Sequence, residues 1–381
     1  MALGKLGFGL MRLPVNSEDP TDINIELLSQ MADRFLAEGF TYFDTSFVYH
    51  NGASEGAIRK ALVERHERDS YTLATKFPTF IFPKEEEVDG IFEQQRSNCG
   101  VEYFDYYLLH NLNRVLYDGL IQEIHLFDHL KKWKEEGKAK HIGFSYHDSP
   151  EVLDRILSDH PEIEFVQIAL NYYDWDEPFI AARACYEVIR MHGRQVVVME
   201  PVKGGMLANV PATALEKMQS HSAELSPASY AIRFAAGLDG ILAVLSGMST
   251  MEQVEDNISY MKDFNPLTDE EREITAFAIE EYHKNWKYFC PDWSLLDDNS
   301  FGVPLSWFLR SYNSILLQPV PTFSAELNYY KSFRSAFDRT YETADYSDLT
   351  TKIGGVFDVT TAVKEAIEFQ TKNSFQGYVS D

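Results

Sequence analysis

Short apolar runs alternate with longer amphipathic segments throughout residues 1–264, and this alternation constrains the fold more than any other feature. The runs are predicted as strands at 6–10, 41–46, 72–77, 104–110, 141–145, 165–171, 195–201 and 240–247. The intervening segments predict helices, for example at 23–38, 54–67, 122–136 and 178–192. Runs such as VVVM and ILAVL are apolar almost throughout, which is typical of parallel strands buried on both faces. Eight such repeats predict an α/β fold, a (β/α)8 TIM barrel.

An open, doubly wound sheet is the structural alternative to the barrel. Such a sheet normally binds its dinucleotide through G-x-G-x-x-G after the first strand. The corresponding stretch here, GFGLMR at 7–12, lacks the third glycine.

The pattern changes after Pro266. A barrel needs about 250 residues, and the chain has 381. The segment 268–286 begins with Thr268 and has Glu271 three residues later, a capping box that predicts a helix. The remainder is aromatic-rich and ends in an amphipathic stretch at 360–371. We therefore predict a barrel over 1–264 and a mainly helical C-terminal extension over 265–381.

Composition argues against several classes of function. The chain has 59 acidic and 34 basic residues and a net charge of −25, which repels nucleic-acid phosphates and anionic lipid headgroups. No apolar stretch reaches the length of a membrane span, and no signal-peptide core follows the N-terminus. The three cysteines lie far apart, which argues against disulfides and a metal site. We expect a cytoplasmic protein without nucleic-acid or membrane partners.

Four ionisable residues stand at or just beyond the ends of three consecutive predicted strands. Asp44 and Tyr49 follow the second strand, Lys76 ends the third and His110 ends the fourth. Each alone would be interpreted as a cap, a surface charge or a packing residue. Because the carboxyl ends of barrel strands share one rim, we expect all four side chains in one small volume.

This set suits carbonyl reduction, in which negative charge develops on the carbonyl oxygen and a proton must arrive. Tyr49 would supply the proton. A nearby Lys76 cation would lower the pKa of that phenol, which is ordinarily about 10. Asp44 would hold the lysine charged and in place, and His110 would orient the carbonyl oxygen.

The sequence resembles the aldo-keto reductases. The resemblance covers residues 1–264 and rests on the ordered motifs LGFGLMRLP, FDTSFVYHNGASEGAIRKAL, LATKF, FDYYLLHNL, HIGFSYH, FVQIALNYY, VVVMEPVKGGML and LSGMSTMEQVEDNI. It implies an NAD(P)H-dependent reductase acting on a small carbonyl compound. The family's catalytic tetrad corresponds to Asp44, Tyr49, Lys76 and His110.

The resemblance also implies cofactor-binding positions. Ser145 and Gln167 correspond to residues that contact the nicotinamide amide, and Met199 to the position that often carries a ring-stacking aromatic. Three further positions correspond to residues that hold the adenosine and its phosphates: Ser249, Gln253 and Asn257. The resemblance favours NADP(H) over NAD(H). Gln253, however, stands where an arginine often binds the 2′-phosphate, and Tyr146 stands where many members carry an asparagine.

The extension resembles the ferredoxin-like domain of one aldo-keto reductase subgroup, with its cluster motifs altered. Of the cysteines, the extension retains only Cys290, and Tyr346, Leu349 and Lys352 stand where a C-x-x-C-x-x-C run is expected. Two [4Fe–4S] clusters need eight thiolates, so we predict no iron–sulfur cluster. The extension could instead bind a protein partner, mediate self-association, cover the pocket as a lid or serve as packing alone.

Two other functions remain open from the sequence. A lyase or isomerase could use Lys76 as a Schiff base, because barrels host that chemistry as well. A non-catalytic nucleotide sensor or scaffold could retain the barrel and use the extension for docking. Phe47, Phe80, Phe82 and Trp175 follow strands and could line an apolar substrate pocket or pack against neighbouring loops.

Overall fold

Eight parallel strands close into a barrel in sequence order in the computed structural model of the chain, so the predicted TIM barrel is confirmed. The structure describes residues 4–298, 304–319 and 345–373. The strands are β1 (Leu6–Gly9), β2 (Tyr42–Asp44), β3 (Thr72–Phe77), β4 (Phe104–Leu112), β5 (Ala139–Tyr146), β6 (Phe165–Ala169), β7 (Gln195–Met199) and β8 (Ile241–Gly247). Pairing of Leu6 with Val244 belongs to the β1–β8 ladder that closes the cylinder.

Helices follow the strands in the order of the sequence. Short helical turns apart, they are α1 (Ile25–Ala37), α2 (Ser54–Ile58), α3 (Glu85–Cys99), α4 (Leu126–Glu135), α5 (Pro150–Asp159), α6 (Ala182–Met191), α7 (Ala212–His221), α8 (Pro227–Ala236), α9 (Met251–Met261), α10 (Asp269–Lys284), α11 (Leu305–Leu316), α12 (Ser347–Lys352) and α13 (Val359–Asn373). None of the helices in the described ranges is long and apolar enough to cross a membrane. The predicted capping box is confirmed at α10, where Thr268 and Glu271 satisfy each other's backbone N–H groups.

The interior of the barrel is filled by side chains. Buried residues of six strands form one cluster: Tyr42, Ala74, Tyr106, Leu108, Phe165, Val197, Leu242, Ala243 and Leu245. Glycine is required at one close approach, because a Cβ on Gly143 would lie 2.4 Å from the Phe165 carbonyl oxygen. The barrel is therefore a packed core and not an open channel.

The chain divides into two compact units. The first contains Met1–Trp175, Ala182–Pro201 and Ala228–Leu267, and with them all eight strands. The second contains Asp176–Ala181, Val202–Pro227 and Thr268–Asp381. The two barrel segments assigned to the second unit were not anticipated, and the domain boundary at 264/265 stays a prediction.

The second unit is helical where the structure describes it. Its core is apolar and brings together residues of α11 and α13 with a few from the connecting segments, among them Leu296, Leu305, Phe308, Leu309, Tyr346, Val359, Val363 and Ala366. Cys290 is buried, and its thiol donates a hydrogen bond to the Asp292 carbonyl oxygen at 3.1 Å. The parts of the predicted extension at 299–303, 320–344 and 374–381 lie outside the described residues.

Candidate active site

The ends of β2 and β3 bring a lysine and an aspartate into direct contact inside the barrel. The Lys76 ammonium donates a hydrogen bond of 2.5 Å to Asp44 Oδ1 and one of 2.8 Å to the Thr45 carbonyl oxygen. The two side chains are 1% and 2% exposed, so water does not screen their charges. Asp44 Oδ2 is buried and has no hydrogen-bond partner among the described residues.

Burial and the neighbouring groups together determine the protonation state of Lys76. Burial alone would lower the pKa of Lys76, but the charge of Asp44 and the neighbouring Tyr49 outweigh it, and that pKa lies above its ordinary value. Lys76 is thus a fixed cation at neutral pH.

Tyr49 occupies the turn Tyr49–Gly52 directly after β2. The Lys76 ammonium lies 4.7 Å from the centre of its ring. Burial raises the pKa of the Tyr49 phenol, and the Lys76 charge opposes that increase. Tyr49 is therefore protonated at neutral pH and stands beside a cation that would stabilise its phenolate.

The local sequence YHNG explains how the chain forms this turn. His50, Asn51 and Gly52 all have positive φ, at 54°, 52° and 90°, a conformation that asparagine and glycine adopt most readily. The His50 ring holds the turn in place, because Nδ1 lies 2.7 Å from the Pro20 carbonyl oxygen and Nε2 accepts a hydrogen bond of 3.0 Å from the Leu13 N–H. Since a carbonyl only accepts, Nδ1 carries the proton in this arrangement.

His110 faces Tyr49 from β4. The two ring centres are 6.0 Å apart and the ring planes nearly perpendicular, at 81°. Phe80 packs against the other side of the imidazole at 5.3 Å. Burial, the Lys76 charge and His147 together hold the pKa of His110 well below its ordinary value, so the imidazole is neutral.

A contact that the sequence pattern did not reveal determines the orientation of that imidazole. Ser46 Oγ lies 3.1 Å from His110 Nδ1, and both side chains are buried. The strand itself is irregular just beyond His110, because the β4–β5 register shifts between Leu109 and Leu112, and Asn111 has φ of 65°. Such a bulge changes the direction of a neighbouring side chain.

Two of the predicted cofactor residues lie side by side. Ser145 and Gln167 are paired across β5 and β6. Ser145 Oγ accepts a hydrogen bond of 2.7 Å from the Asn111 N–H, which leaves its own proton available to donate. Gln167 is 1% exposed, and its Oε1 has no partner among the described residues. Met199 ends β7 and is half-buried, opposite Ala169 of β6.

The other three predicted cofactor residues form a separate group where β8 leads into α9. Ser249 Oγ donates to the Arg12 carbonyl oxygen, and the Ser249 N–H donates to Gln253 Oε1, each at 2.7 Å. Asn257 is buried and donates a hydrogen bond of 2.6 Å to Ser246 Oγ. The Gln253 side chain thus accepts a hydrogen bond from a backbone N–H group near the N-terminus of α9.

The four aromatic residues proposed for a substrate pocket do not share one environment. Phe80 contacts His110, whereas Phe82 is 41% exposed. Trp175 packs against Tyr186 and Phe234, with ring centres 5.6 Å away in both cases. Phe47 lines an open groove of about 720 Å³ beside the Tyr49 turn.

Relatives of this chain are known from both sequence and structure. A soybean (Glycine max) probable aldo-keto reductase 1 is 32% identical over 227 residues, which cover 56% of this chain and 61% of that protein. An Arabidopsis thaliana L-galactose dehydrogenase is 26% identical over 276 residues, 65% of this chain and 82% of the relative.

Solved structures share the fold. An aldo-keto reductase from Klebsiella pneumoniae in complex with NADPH has a TM-score of 0.59 at 18% identity, covering 73% of this chain and 92% of that one. The holo form of AKR11C1 from Bacillus halodurans has a TM-score of 0.56 at 23% identity, covering 73% and 95%. The Aldo/keto reductase family matches residues 5–278. The chain belongs to the aldo/keto reductase family.

Proposed function

We propose that this protein is an NAD(P)H-dependent oxidoreductase that reduces an aldehyde or ketone to an alcohol. The observation that carries the proposal is the cluster of the half-buried Tyr49, the buried Lys76–Asp44 ion pair and a neutral His110. Family membership supports the same activity.

The proton would come from Tyr49. As negative charge develops on the carbonyl oxygen, the phenol donates its proton there, and the Lys76 ammonium stabilises the phenolate that remains. Asp44 and the Thr45 carbonyl hold the ammonium in place. Because they do so before the reaction, no reorganisation is needed when the charge develops.

His110 would orient the substrate. If the Ser46 hydroxyl donates to Nδ1, the neutral imidazole carries its proton on Nε2, which can then donate to the carbonyl oxygen. Ser46 would thus select the tautomer that the reaction needs.

The residues of β5 and β6 fit a nicotinamide carboxamide. The free acceptor at Gln167 Oε1 suits the amide N–H, and the available Ser145 hydroxyl proton suits the amide oxygen. A bound reduced nicotinamide would supply the hydride. We propose Ser249, Gln253 and Asn257 for the adenosine end, with NADP(H) preferred over NAD(H). Phosphate binding there would require Gln253 to release the Ser249 N–H.

Schiff-base chemistry at Lys76 is less well supported, because a lysine nucleophile must be neutral and the Lys76 ammonium is stabilised by Asp44.

The proposed function is tested by titrating the purified protein with NADPH and NADH and then assaying aldehydes, ketones and sugars. We expect quenched nucleotide fluorescence and oxidation of the reduced nucleotide with at least one carbonyl compound. Failure to bind either nucleotide would contradict the proposal, whereas binding without turnover would favour a sensor or scaffold.

A further inference from the structure

A second buried carboxylate, Glu55, lies behind the active-site lysine. Glu55 belongs to α2 and is completely buried, yet it forms no ion pair with any residue that the structure describes. Its oxygens accept hydrogen bonds from Thr75 Oγ1 at 2.8 Å, Gln95 Nε2 at 2.8 Å and Asn98 Nδ2 at 3.0 Å. All three partners can donate, as an ionised carboxylate requires. Burial raises the pKa of Glu55, and these hydrogen bonds and the Lys76 charge oppose that increase.

Gln95 extends this contact to the lysine itself. Its Nε2 also donates a hydrogen bond of 3.0 Å to the backbone carbonyl oxygen of Lys76. On its other side, Gln95 Oε1 accepts from the Tyr107 hydroxyl at 2.5 Å. Tyr107 lies on β4, three residues before His110, so one fully buried amide connects the strands that carry Lys76 and His110.

The residue before Glu55 supports the other side of the same lysine. Ser54 Oγ and Thr45 Oγ1 lie 2.8 Å apart in a buried hydrogen bond. The carbonyl oxygen of Thr45 accepts from the Lys76 ammonium. The start of α2 thus contacts residues on both sides of Lys76.

We propose that Glu55, acting through Gln95 and Thr75, is a positioning residue that fixes Lys76 relative to His110 and contributes negative charge to the Lys76–Tyr49 pair. This inference rests on the proposed reductase activity. Burying a carboxylate without a cation partner is unfavourable, and apolar packing could join α2 and α3 to β3 without that cost. A role in positioning and charge explains why the carboxylate is there.

Two substitutions distinguish the effect of the Glu55 charge from the effect of the hydrogen bond that Gln95 donates to the Lys76 carbonyl oxygen. Glu55→Gln keeps the volume and removes the charge, whereas Gln95→Met keeps the charge and removes the connection to the Lys76 carbonyl. Tyr117→Phe is the control, because it removes a hydroxyl that donates to Asp159 at 2.7 Å from another buried residue of the same unit. Each enzyme is assayed with NADPH and the carbonyl compound that the wild type reduces fastest, from pH 6 to pH 10.

We expect kcat to fall about tenfold in both network variants while the KM for the carbonyl compound changes less than about threefold, because displaced catalytic groups slow the chemical step. Removing a negative charge lowers the proton affinity of nearby groups. The alkaline limb of the pH profile should therefore move to lower pH by roughly half a unit in Glu55→Gln, but not in Gln95→Met. A purely structural network would lower the melting temperature of both variants and leave kcat per folded molecule and the alkaline limb unchanged. That result would overturn the inference.

A structural measurement keeps the inference testable if the wild type reduces nothing. Crystal structures of the wild type and of Gln95→Met are compared at the Lys76 ammonium. We expect its contacts with Asp44 and the Thr45 carbonyl to lengthen or become disordered in the variant. Unchanged contacts would refute the positioning role, whereas absence of wild-type turnover refutes only the proposed reductase activity. If Gln95→Met does not fold, Tyr107→Phe removes one hydroxyl of the same network and serves in its place.

Discussion

Two ion pairs of this protein have contrasting surroundings. In the barrel, Asp44 and Lys76 are almost fully buried, and Asp44 Oδ2 has no partner among the described residues. In the second unit, Arg310 binds both carboxylate oxygens of Glu177, at 3.0 and 2.7 Å, and remains 22% exposed. Arg310 also lies near the rings of Trp286 and Trp293, at 5.7 and 5.9 Å.

We interpret the buried pair as serving catalysis and the partly exposed pair as serving stability. A bidentate, partly hydrated pair satisfies its own hydrogen bonds and costs little to form. A dry pair with an unsatisfied oxygen loses more solvation than a comparable apolar contact would. We therefore expect the barrel pair to control activity and the second pair to control stability alone.

The largest effect is expected from Tyr49→Phe, which removes only the phenolic oxygen. Reduction should fall about 10³-fold, because the variant lacks the phenol that we propose as the proton donor. Affinity for NADPH and the melting temperature should stay close to those of the wild type. Steady-state kinetics and fluorescence titration measure both, with Tyr186→Phe as the control. A variant that retained more than about a tenth of the wild-type rate would remove Tyr49 from the proposed role.

Lys76→Met should be the most destabilising change at this site. Because it leaves Asp44 buried without its cation, the free energy of unfolding should fall by about 3–5 kcal/mol. Combining it with Asp44→Asn should restore most of that loss, although neither protein should reduce substrate. Urea unfolding followed by circular dichroism measures the difference. A double variant as unstable as the single one would show that the ion pair itself stabilises the barrel.

Acid should destabilise the barrel through His147, whose pKa is strongly lowered in the folded chain. Burial lowers the pKa of His147 from 6.5 to about 3. Below about pH 6.5 this histidine is protonated in the unfolded chain. In the folded chain it stays neutral down to about pH 3. Stability should thus fall on acidification, by about 2 kcal/mol between pH 7 and pH 5 from this residue. His147→Asn should flatten the pH dependence measured by urea unfolding, and an unchanged pH dependence between pH 7 and pH 5 would contradict the prediction.

Arg310→Met tests the second ion pair. Removing it leaves Glu177 with partial access to water, so the free energy of unfolding should fall by only about 1–2 kcal/mol. The rate of reduction per folded molecule should not change, because neither residue belongs to the contacts that hold the tetrad. Arg155, which forms an exposed ion pair with Asp118 at 2.7 Å, provides the control in Arg155→Met. Loss of activity in Arg310→Met without unfolding would show that the contrast between the pairs is wrong.

The smallest effect is expected at Cys290. Serine can retain the hydrogen bond to the Asp292 carbonyl oxygen, so Cys290→Ser should change stability by less than about 1 kcal/mol. Metal analysis and visible spectroscopy should detect no iron in either protein, because an iron–sulfur cluster needs more thiolates than the chain contains. A brown protein that loses its colour in the variant would contradict this prediction.

Local pattern was enough to predict the barrel. Apolar runs such as VVVM can be buried on both faces only in a parallel sheet covered by helices, and eight of them preceded eight helical segments. The tetrad could be located in the same way, because residues at consecutive strand ends must share one rim. Asp44, Lys76 and His110 are indeed close together, with Tyr49 beside them. Their catalytic roles stay predictions.

The sequence could not predict the contacts that helices outside the barrel make, nor the irregularities of the strands. Glu55 and Gln95 lie 40 positions apart in the sequence, and only the packing of α2 and α3 on β3 brings them together. Ser46 meets His110 across 64 positions, at a register shift for which β4 has no sequence signal. The inclusion of 176–181 and 202–227 in the second unit likewise had no signature in composition.

The amino-acid sequence by itself therefore determined the number and order of strands and which ionisable residues stand at their ends, because both follow from periodicity within a few neighbouring residues. Only the tertiary structure decided the charge state of those residues. Protonation depends on burial and on partners distant in sequence. Burial keeps His110 neutral, whereas the Lys76 ammonium exists despite burial because Asp44 and Tyr49 stabilise it. Burial raises the pKa of Glu55, and three hydrogen bonds from distant partners oppose that increase.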